Sequence, residues 1–323
     1  MLNTMFEVWS LMAFPALHTP GRRPHARNAA PERQRFVSGF FQHGLRSLRY
    51  KLFVPQAYRD APMPLLVMLH GCGQDADDFA AGTGMNELAE ACGYLVLYPE
   101  QSSDANWSRC WNWHHQTHHQ RGEGEPALLA ALTRKILAEH GDPGGRACIA
   151  GLSSGGAMAV ILGRTYPELF AAVGCHSGMA HGSATDEVGA LRAMQHGVEL
   201  SALAPTATTC PVPVIVFHGD QDATVHHKNG VAVVQQSLAA YAARPAHAGD
   251  GVARSDETGE TRGRSFTRHV HRCGTGKVLA EQWTVHGMGH AWSGGAGRGR
   301  HADAHGPDAG REMLRFFTEA LAG

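Results

Sequence analysis

The chain has almost no charge surplus, no long apolar run in its body and no closely paired cysteines. Its 323 residues include 28 Lys and Arg against 29 Asp and Glu, so the net charge is −1 with histidine neutral. Nucleic-acid-binding proteins usually carry a basic surplus, and proteins that bind membrane surfaces carry clustered basic residues, so this balance argues against both classes. Beyond residue 18 there is no apolar run of roughly 18 residues, and no transmembrane helix is predicted.

The seven cysteines include no C-x-x-C pair, which argues against a zinc ribbon or a thioredoxin-like site. Residues 1–18 lack a basic segment and a small-x-small cleavage site, so they make a poor signal peptide. Residues 19–35 are rich in Pro and Arg. We therefore predict a disordered lead-in over residues 1–44 and a single folded domain over residues 45–323.

The domain alternates apolar strand-like segments with helical ones. Predicted strands lie at 48–55, 64–71, 94–100, 146–151, 170–178, 210–220 and 278–287, and predicted helices at 85–93, 125–141, 154–167, 236–244 and 308–323. This order predicts an α/β fold with a mostly parallel central sheet and helices on both faces. Residues 180–209 are predicted to form an excursion near the site, and residues 245–268 a flexible surface loop.

A nucleophile motif follows the predicted strand at 146–151. Gly151-Leu152-Ser153-Ser154-Gly155 has the pattern G-x-S-x-G, and a predicted helix begins at once after it. In a nucleophile elbow this strand–turn–helix setting presents a serine hydroxyl at a helix N-terminus, and the glycines avoid clashes in the sharp turn. The motif alone is also compatible with a plain Gly-rich turn. Its setting favours Ser153 as a nucleophile.

A serine nucleophile needs a histidine base and a carboxylate that orients the base. Asp220 and Asp222 both follow the predicted strand at 210–220, at the sheet edge where Ser153 lies. His286 and His290 follow the strand at 278–287. His286 lies at the end of the strand, where the pleat fixes the direction of its side chain. His290 lies on a Gly-bordered loop that can reach the serine. The residues favour His290 and leave both aspartates open.

Backbone amides would stabilise the negative oxygen of an ester-hydrolysis intermediate. One donor is expected to be the amide of Ser154, the residue after the nucleophile. The second is expected in the loop His70-Gly71-Cys72-Gly73-Gln74, which follows an early strand, with Cys72 donating through its backbone. The alternative is an ordinary Gly-rich turn.

Taken together, these motifs resemble the poly(3-hydroxybutyrate) depolymerase family of esterases. The likeness lies in L-H-G-C-G-Q (69–74), C-W-N-W (110–113), Q-R-G-E-G-E (120–125), G-L-S-S-G-G-A-M (151–158), F-H-G-D-Q-D-A-T-V (217–225), V-H-G-M-G-H-A-W-S-G-G (285–295) and G-P-D-A-G-R-E-M-L-R-F-F (306–317). It extends over roughly residues 45–319. Motifs in this order are far more specific than G-x-S-x-G alone.

The resemblance implies an α/β-hydrolase fold with Ser153, Asp222 and His290 as the triad, and an oxyanion hole from the Cys72 and Ser154 amides. It implies an extracellular or periplasmic enzyme, although the N-terminus leaves a cytoplasmic one open. It also makes Cys72 and Cys110 the candidate disulfide pair.

Such an enzyme needs no metal or organic cofactor. Its expected substrates are short-chain or poly(3-hydroxybutyrate)-like esters, or acetyl and feruloyl esters of plant polysaccharides. A serine peptidase of the oligopeptidase type fits less well, because such enzymes usually carry a large propeller that a lead-in of about 45 residues cannot form.

Aromatic and histidine residues cluster near these motifs. Trp111, Trp113 and Trp292 are predicted to line a substrate pocket, as is their neighbour Trp107, with core packing as the alternative for Trp111 and Trp113. The segment H-H-Q-T-H-H (114–119) has helical spacing that would suit a metal, but no nearby carboxylate completes a ligand set. A solvated polar loop is therefore predicted there.

Overall fold

The computed structural model of the protein describes residues 35–59, 61–203, 211–244 and 251–322. The segment 1–34 lies outside the described residues, and with it residues 1–18, the poor signal peptide, and most of the predicted lead-in; Cys210 lies outside them too.

A ten-stranded sheet, in the order β1-β2-β4-β3-β5-β6-β7-β10-β9-β8, forms the centre of the described part. Its strands are β1 (Phe36–His43), β2 (Arg46–Phe53), β3 (Leu65–Leu69), β4 (Leu95–Glu100), β5 (Ala147–Leu152), β6 (Phe170–His176), β7 (Val214–Gly219), β8 (Ala253–Thr261), β9 (Arg264–Arg272) and β10 (Val278–Val285). A separate pair is formed by β11 (Trp292–Ser293) and β12 (Ala302–Asp303). The central strands from β4 to β10 run parallel, which confirms the predicted sheet.

Seven α-helices accompany the sheet in the described residues. They are α1 (Ala76–Thr83), α2 (Met85–Cys92), α3 (Gly124–His140), α4 (Ser154–Thr165), α5 (Glu187–His196), α6 (Lys228–Ala242) and α7 (Ala309–Ala322), and two short 3-10 turns lie at Gln116–His119 and Leu200–Ala202. The sequence prediction missed α1 and α5 and began α6 several residues too late. Within the described chain no helix has the length and apolar character of a membrane span.

The core is divided into two layers by the sheet. Every residue of β3 is buried, because its side chains alternate between the two layers. Leu65, Val67 and Leu69 join the cluster that contains residues of α3, α4 and α6. Leu66 and Met68 join the cluster that contains residues of α1, α2 and α7. Burial on both faces explains why the central strands read as continuous apolar runs.

The predicted boundary at residue 45 is wrong. Phe36–His43, which the sequence analysis assigned to the lead-in, form β1 and pair antiparallel with β2. Gly44 makes the tight turn between the two strands with a φ of 59°. Phe36 packs edge-on against Tyr98, so the first strand is held by apolar contact as well as by backbone pairing.

The predicted flexible loop at 245–268 is also wrong over its described part, residues 251–268. Residues 253–272 form the antiparallel hairpin β8–β9 beside β10, and residues 245–250 lie outside the described residues. Cross-strand polar contacts replace apolar ones on this hairpin, such as the hydrogen bond of His269 with Asp256 and the ion pair of Arg268 with Glu257. Charged side chains are typical of an edge strand that faces solvent. Because loops have a similar composition, the sequence analysis predicted a loop here.

Candidate active site

The structure places Ser153 in the sharp turn between β5 and α4. Its backbone has φ 56° and ψ −120°, a strained conformation for a residue with a side chain. A Cβ atom on Gly155 would lie 2.1 Å from the Leu69 carbonyl oxygen, and one on Gly151 would lie 2.4 Å from the Gly155 carbonyl oxygen. Only glycine fits at either position. This packing confirms the strand–turn–helix setting predicted from the motif.

The structure brings Asp222 and His290 together. The Nδ1 atom of His290 lies 2.7 Å from Oδ2 of Asp222. The other oxygen of Asp222 accepts hydrogen bonds from the backbone amides of Thr224 and Val225, at 2.9 and 2.8 Å. The carboxylate is fully buried, whereas the imidazole is 12% exposed. Asp222 is thus fixed from several sides and holds the ring of His290 in one orientation.

Asp222 remains ionised in this setting. Burial raises the pKa of its carboxyl, but hydrogen bonds with His218 and His290 and from the backbone outweigh burial and hold the pKa far below its usual value. A permanent negative charge beside Nδ1 favours the tautomer of His290 that carries its proton there. The Nε2 atom is then left as a base.

The two residues that the sequence left as alternatives form a pair of their own. His286 Nδ1 lies 2.9 Å from Asp220 Oδ2, and the amide of Gly287 donates to the other oxygen at 2.7 Å. The Nε2 atom of His286 is hydrogen-bonded to Thr267 Oγ1 at 2.9 Å. Both ring nitrogens are occupied, and the side chains of Asp220 and His286 are 28% and 39% exposed. This pair joins the β9–β10 edge to the loop after β7.

Ser153, Asp222 and His290 follow the parallel strands β5, β7 and β10, so all three lie at the C-terminal edge of the sheet. The loops after β7 and β10 are in direct contact. The amide of Gln221 donates to the Met288 carbonyl oxygen at 3.1 Å. A Cβ atom on Gly219 would lie 2.1 Å from that same oxygen, so the close approach requires glycine there.

His176 connects these elements, and the sequence analysis did not identify it. Its carbonyl oxygen accepts the amide hydrogen of Ser153 at 2.9 Å, and its Nε2 accepts that of Ser293 at 3.0 Å. The ring stacks between Phe217 and Trp292 and is fully buried. Burial holds its pKa well below the usual value. A neutral His176 therefore connects the turn at Ser153 to the segment that follows His290.

The predicted oxyanion loop is closely braced. The amide of Gly71 donates to Gln74 Oε1 at 3.0 Å, that of Gly73 to the Ser108 carbonyl at 2.7 Å, and that of Gln74 to the Gly71 carbonyl at 3.3 Å. Within the described parts of the chain, no protein acceptor is recorded for the amide of Cys72. The Cys72 amide is thus available to a ligand.

A disulfide between Cys72 and Cys110 fastens this loop to the segment after β4, as the family resemblance implied. Replacing both cysteines with serine should lower the free energy of unfolding by about 2–4 kcal/mol, because the bond closes a 38-residue loop in the unfolded chain. Urea denaturation measures the change. The matched control is Cys92→Ser, an exposed free thiol, and equal stability of the two variants would contradict the prediction.

Glu125 stabilises the segment that the disulfide joins to the predicted oxyanion loop. Its carboxylate is buried and accepts hydrogen bonds from Gln101 Nε2 at 2.6 Å and from both the backbone and side-chain nitrogens of Asn112, at 2.9 and 2.6 Å. Burial raises its pKa despite these bonds. The bonds fix the C-W-N-W segment that carries Cys110.

The prediction that Trp111, Trp113 and Trp292 line a substrate pocket is wrong for this structure. They are only 1%, 5% and 1% exposed, so their rings offer almost no face to a ligand. Trp111 donates from Nε1 to the His70 carbonyl at 3.1 Å and packs beneath the oxyanion loop. The apolar bulk of these residues stabilises the core around the site.

The histidine segment 114–119 forms a 3-10 turn rather than an α-helix. His118 Nδ1 donates to the Asn112 carbonyl at 2.7 Å, and His119 Nε2 lies 3.0 Å from the Ala184 carbonyl. Across the described ranges, no group of three or more potential metal ligands is found. The segment is partly buried and hydrogen-bonded, which corrects the prediction of a solvated loop.

Three buried histidines should make the free energy of unfolding decrease as the pH is lowered. Burial lowers the pKa of His70, His118 and His181 to about 4, whereas an unfolded histidine titrates near 6.5. Between these values the unfolded chain binds more protons, so the free energy of unfolding should fall as the pH drops from about 6.5 to about 4. Urea denaturation over this range tests the prediction. His118→Asn, which keeps a donor for Asn112, should weaken the pH dependence, and a flat profile in the natural chain would contradict it.

The mostly parallel sheet, the sharp turn at Ser153 and the Asp222–His290 pair define the fold as that of an α/β hydrolase. Among solved structures, the acetyl xylan esterase from Aspergillus awamori shares this fold, with a TM-score of 0.62 at 18% identity over 84% of this chain and 94% of that one.

Residues 48–263 match the family described as Esterase PHB depolymerase, and the chain belongs to that family. Poly(3-hydroxyalkanoate) depolymerase C of Paucimonas lemoignei is 30% identical over 239 residues, which are 71% of this chain and 55% of that protein. Acetylxylan esterase A of Talaromyces purpureogenus is 25% identical over 236 residues, 68% and 59% of the two chains. Feruloyl esterase B of Neurospora crassa is 32% identical over 136 residues, 42% and 45%. The matched regions span about half the length of these relatives.

Proposed function

We propose that the protein is a serine esterase in which Ser153 is the nucleophile, His290 the general base and Asp222 the residue that orients His290. The observation that carries this proposal is the buried Asp222–His290 pair at the sheet edge where the strained turn presents Ser153. A strained serine at the same sheet edge as a histidine that a carboxylate holds in one tautomer is the arrangement expected of an activated hydroxyl.

In the acylation step, Ser153 Oγ attacks the ester carbonyl while His290 Nε2 takes the hydroxyl proton. Asp222 stabilises the imidazolium that forms, because its carboxylate stays ionised beside Nδ1. His290 then gives the proton to the leaving alcohol as the bond from the carbonyl carbon to the alcohol oxygen breaks. In the second step His290 activates water, which releases the acid and restores Ser153.

The negative oxygen of each tetrahedral intermediate would be bound by the amides of Cys72 and Ser154. The position of Ser154 at the first turn of α4 adds the favourable field of the helix N-terminus. The bonds that hold Gly71, Gly73 and Gln74 keep the Cys72 amide in place before substrate binds. Fixed donors of this kind stabilise developing charge without reorganisation.

The first candidate substrates are short-chain esters and polyesters or oligomers of the 3-hydroxybutyrate type, in line with the depolymerase relative. Acetyl or feruloyl esters of polysaccharides are the second candidate, in line with the acetylxylan and feruloyl esterase relatives. No metal or organic cofactor takes part in the proposed steps.

The proposal also includes the cellular location of the enzyme and the extent of its catalytic domain. The Cys72–Cys110 disulfide supports an extracellular or periplasmic location, since such bonds persist in oxidising compartments. A single catalytic domain from β1 to α7 is supported by two core clusters that share one sheet.

A substrate panel tests the proposal: p-nitrophenyl acetate and butyrate, 3-hydroxybutyrate oligomers, and feruloyl esters, each with a peptide p-nitroanilide as comparison. We expect turnover of the esters and none of the anilide. Turnover of no ester, or faster turnover of the anilide than of every ester, would contradict it.

A further inference from the structure

A second histidine lies against the Asp222 carboxylate. His218, the residue before the last of β7, is 2% exposed, and its Nε2 atom lies 3.4 Å from Oδ2 of Asp222. The same oxygen lies 2.7 Å from Nδ1 of His290. Two imidazole rings therefore meet at one carboxylate oxygen, and the proposed acylation and deacylation steps use only one of them.

The Nε2 atom of His218 carries a proton. It lies 2.8 Å from the Val225 carbonyl oxygen, which can only accept a hydrogen bond. The Val225 amide in turn donates to Oδ1 of Asp222 at 2.8 Å. The N–H of His218 thus fixes the residue that binds one oxygen of the carboxylate, and it brings a partial positive charge close to the other oxygen.

The ring of His218 packs against α6 at the cost of a hydrogen bond. Its Nδ1 atom is buried, and among the described residues no partner is recorded for it. A Cβ atom on Gly230 would lie 2.8 Å from Nδ1, so only glycine lets the imidazole approach the helix this closely. An unpaired buried polar atom is unfavourable, and an apolar side chain would fill the same space without that cost. The contacts of Nε2 therefore explain why a histidine lies here.

We propose that His218 is a positioning residue of the esterase: its Nε2–H fixes the Asp222 carboxylate and reduces the negative charge that Oδ2 presents to His290. The inference rests on the proposed function and adds a fourth side chain beside the triad. Without this N–H the carboxylate would be less well fixed, which lowers kcat. Oδ2 would also hold the imidazolium of His290 more strongly, so His290 would become a free base only at a higher pH.

Two more histidines flank the Asp222–His290 pair. Burial holds the pKa of His176 well below its usual value. The ring centroid of His301 lies 6.1 Å from that of His290, and burial together with the neighbouring His290 lowers the pKa of His301. Neither side chain is altered in the variants below, so a change in the pH–rate profile of those variants reports on His218.

Two substitutions of His218 in the full chain give the main test. His218→Leu has no donor and should lower kcat for p-nitrophenyl acetate about 10- to 100-fold, the equivalent of one hydrogen bond to a charged group, with KM within about twofold. The acid limb of its kcat/KM profile should move to higher pH. His218→Gln can donate from a similar position, so it should recover most of kcat and the natural pH profile.

Gly230→Ala tests the same contact from α6. Its methyl group would displace the ring of His218, so we expect a smaller loss of kcat and an acid limb moved in the same direction. This variant keeps the test decisive if His218→Leu does not fold. The matched control is His226→Leu, in the loop after β7, whose ring accepts the Lys228 amide at 3.2 Å and whose loss should leave kcat within about twofold.

Proton NMR gives a readout that needs no turnover. The Nδ1–H of His290, hydrogen-bonded to Asp222, should give a far-downfield resonance that moves in His218→Leu and stays in place in His218→Gln and His226→Leu. The proposal is overturned if folded His218→Leu keeps the natural kcat and pH profile, if its acid limb moves to lower pH, or if this resonance does not move. A natural chain that hydrolyses no ester would overturn the esterase proposal, whereas the resonance would still judge the role of His218.

Discussion

Ser153→Ala should lower kcat for p-nitrophenyl acetate by about 10⁴- to 10⁶-fold, the range seen when the nucleophile of a triad is removed. The variant loses the atom that attacks the carbonyl, so binding and the oxyanion amides alone remain to accelerate the reaction. Steady-state kinetics with active-site titration measure the loss.

The fold of that variant should remain intact. The strained φ of 56° at Ser153 is set by the close packing of Gly151 and Gly155, which alanine at position 153 does not alter. The matched control is Ser237→Ala, a buried serine on α6 that binds the Val212 carbonyl and should keep its activity within about twofold. A Ser153→Ala enzyme with more than a tenth of natural activity would contradict the assignment.

Asp222→Asn should lower kcat by about 10³- to 10⁴-fold. An asparagine amide in place of the carboxylate can donate to Nδ1 of His290, which favours the tautomer with its proton on Nε2. That tautomer cannot accept the hydroxyl proton of Ser153. The buried imidazolium would also lose the negative charge that stabilises it, since the Asp222 carboxylate is fully buried against the ring.

Asp220→Asn is the matched control, because the two aspartates are two residues apart in one loop and each pairs with a histidine. The more exposed Asp220–His286 pair has both ring nitrogens of His286 occupied, so its loss should change kcat by less than about threefold. Measuring kcat for both variants under identical conditions shows which aspartate orients the catalytic histidine. Equal losses, or the larger loss in Asp220→Asn, would show that the roles of the two pairs are reversed.

Sequence reasoning succeeded where local sterics determine the structure. The elbow at Ser153 depends on contacts among residues a few positions apart and on one neighbouring strand, so its glycines are visible as a motif. The continuous apolar strands are visible because burial on both faces removes polar residues. These features predicted the parallel sheet and the edge at which the site lies.

The remaining features depend on packing between distant segments. Sequence spacing could not show whether Asp220 or Asp222 pairs with His290, because both follow β7. Their histidine partners are determined only by how the loop after β10 packs against the loop after β7. The role of His176 depends on contacts with Ser153 and Ser293, which no local pattern records among 22 histidines. Trp292 looked like a ligand-facing residue because a linear motif does not say on which side of a loop a ring packs.

The central claim is that Ser153 is the activated nucleophile, and covalent labelling tests it most directly. A fluorophosphonate probe should form one adduct per chain, and mass spectrometry of the digested protein should locate it on Ser153. Ser153→Ala should not be labelled, and Asp222→Asn should be labelled far more slowly than Asp220→Asn. An adduct on another residue, or equal labelling of the natural chain and Ser153→Ala, would contradict the proposed mechanism.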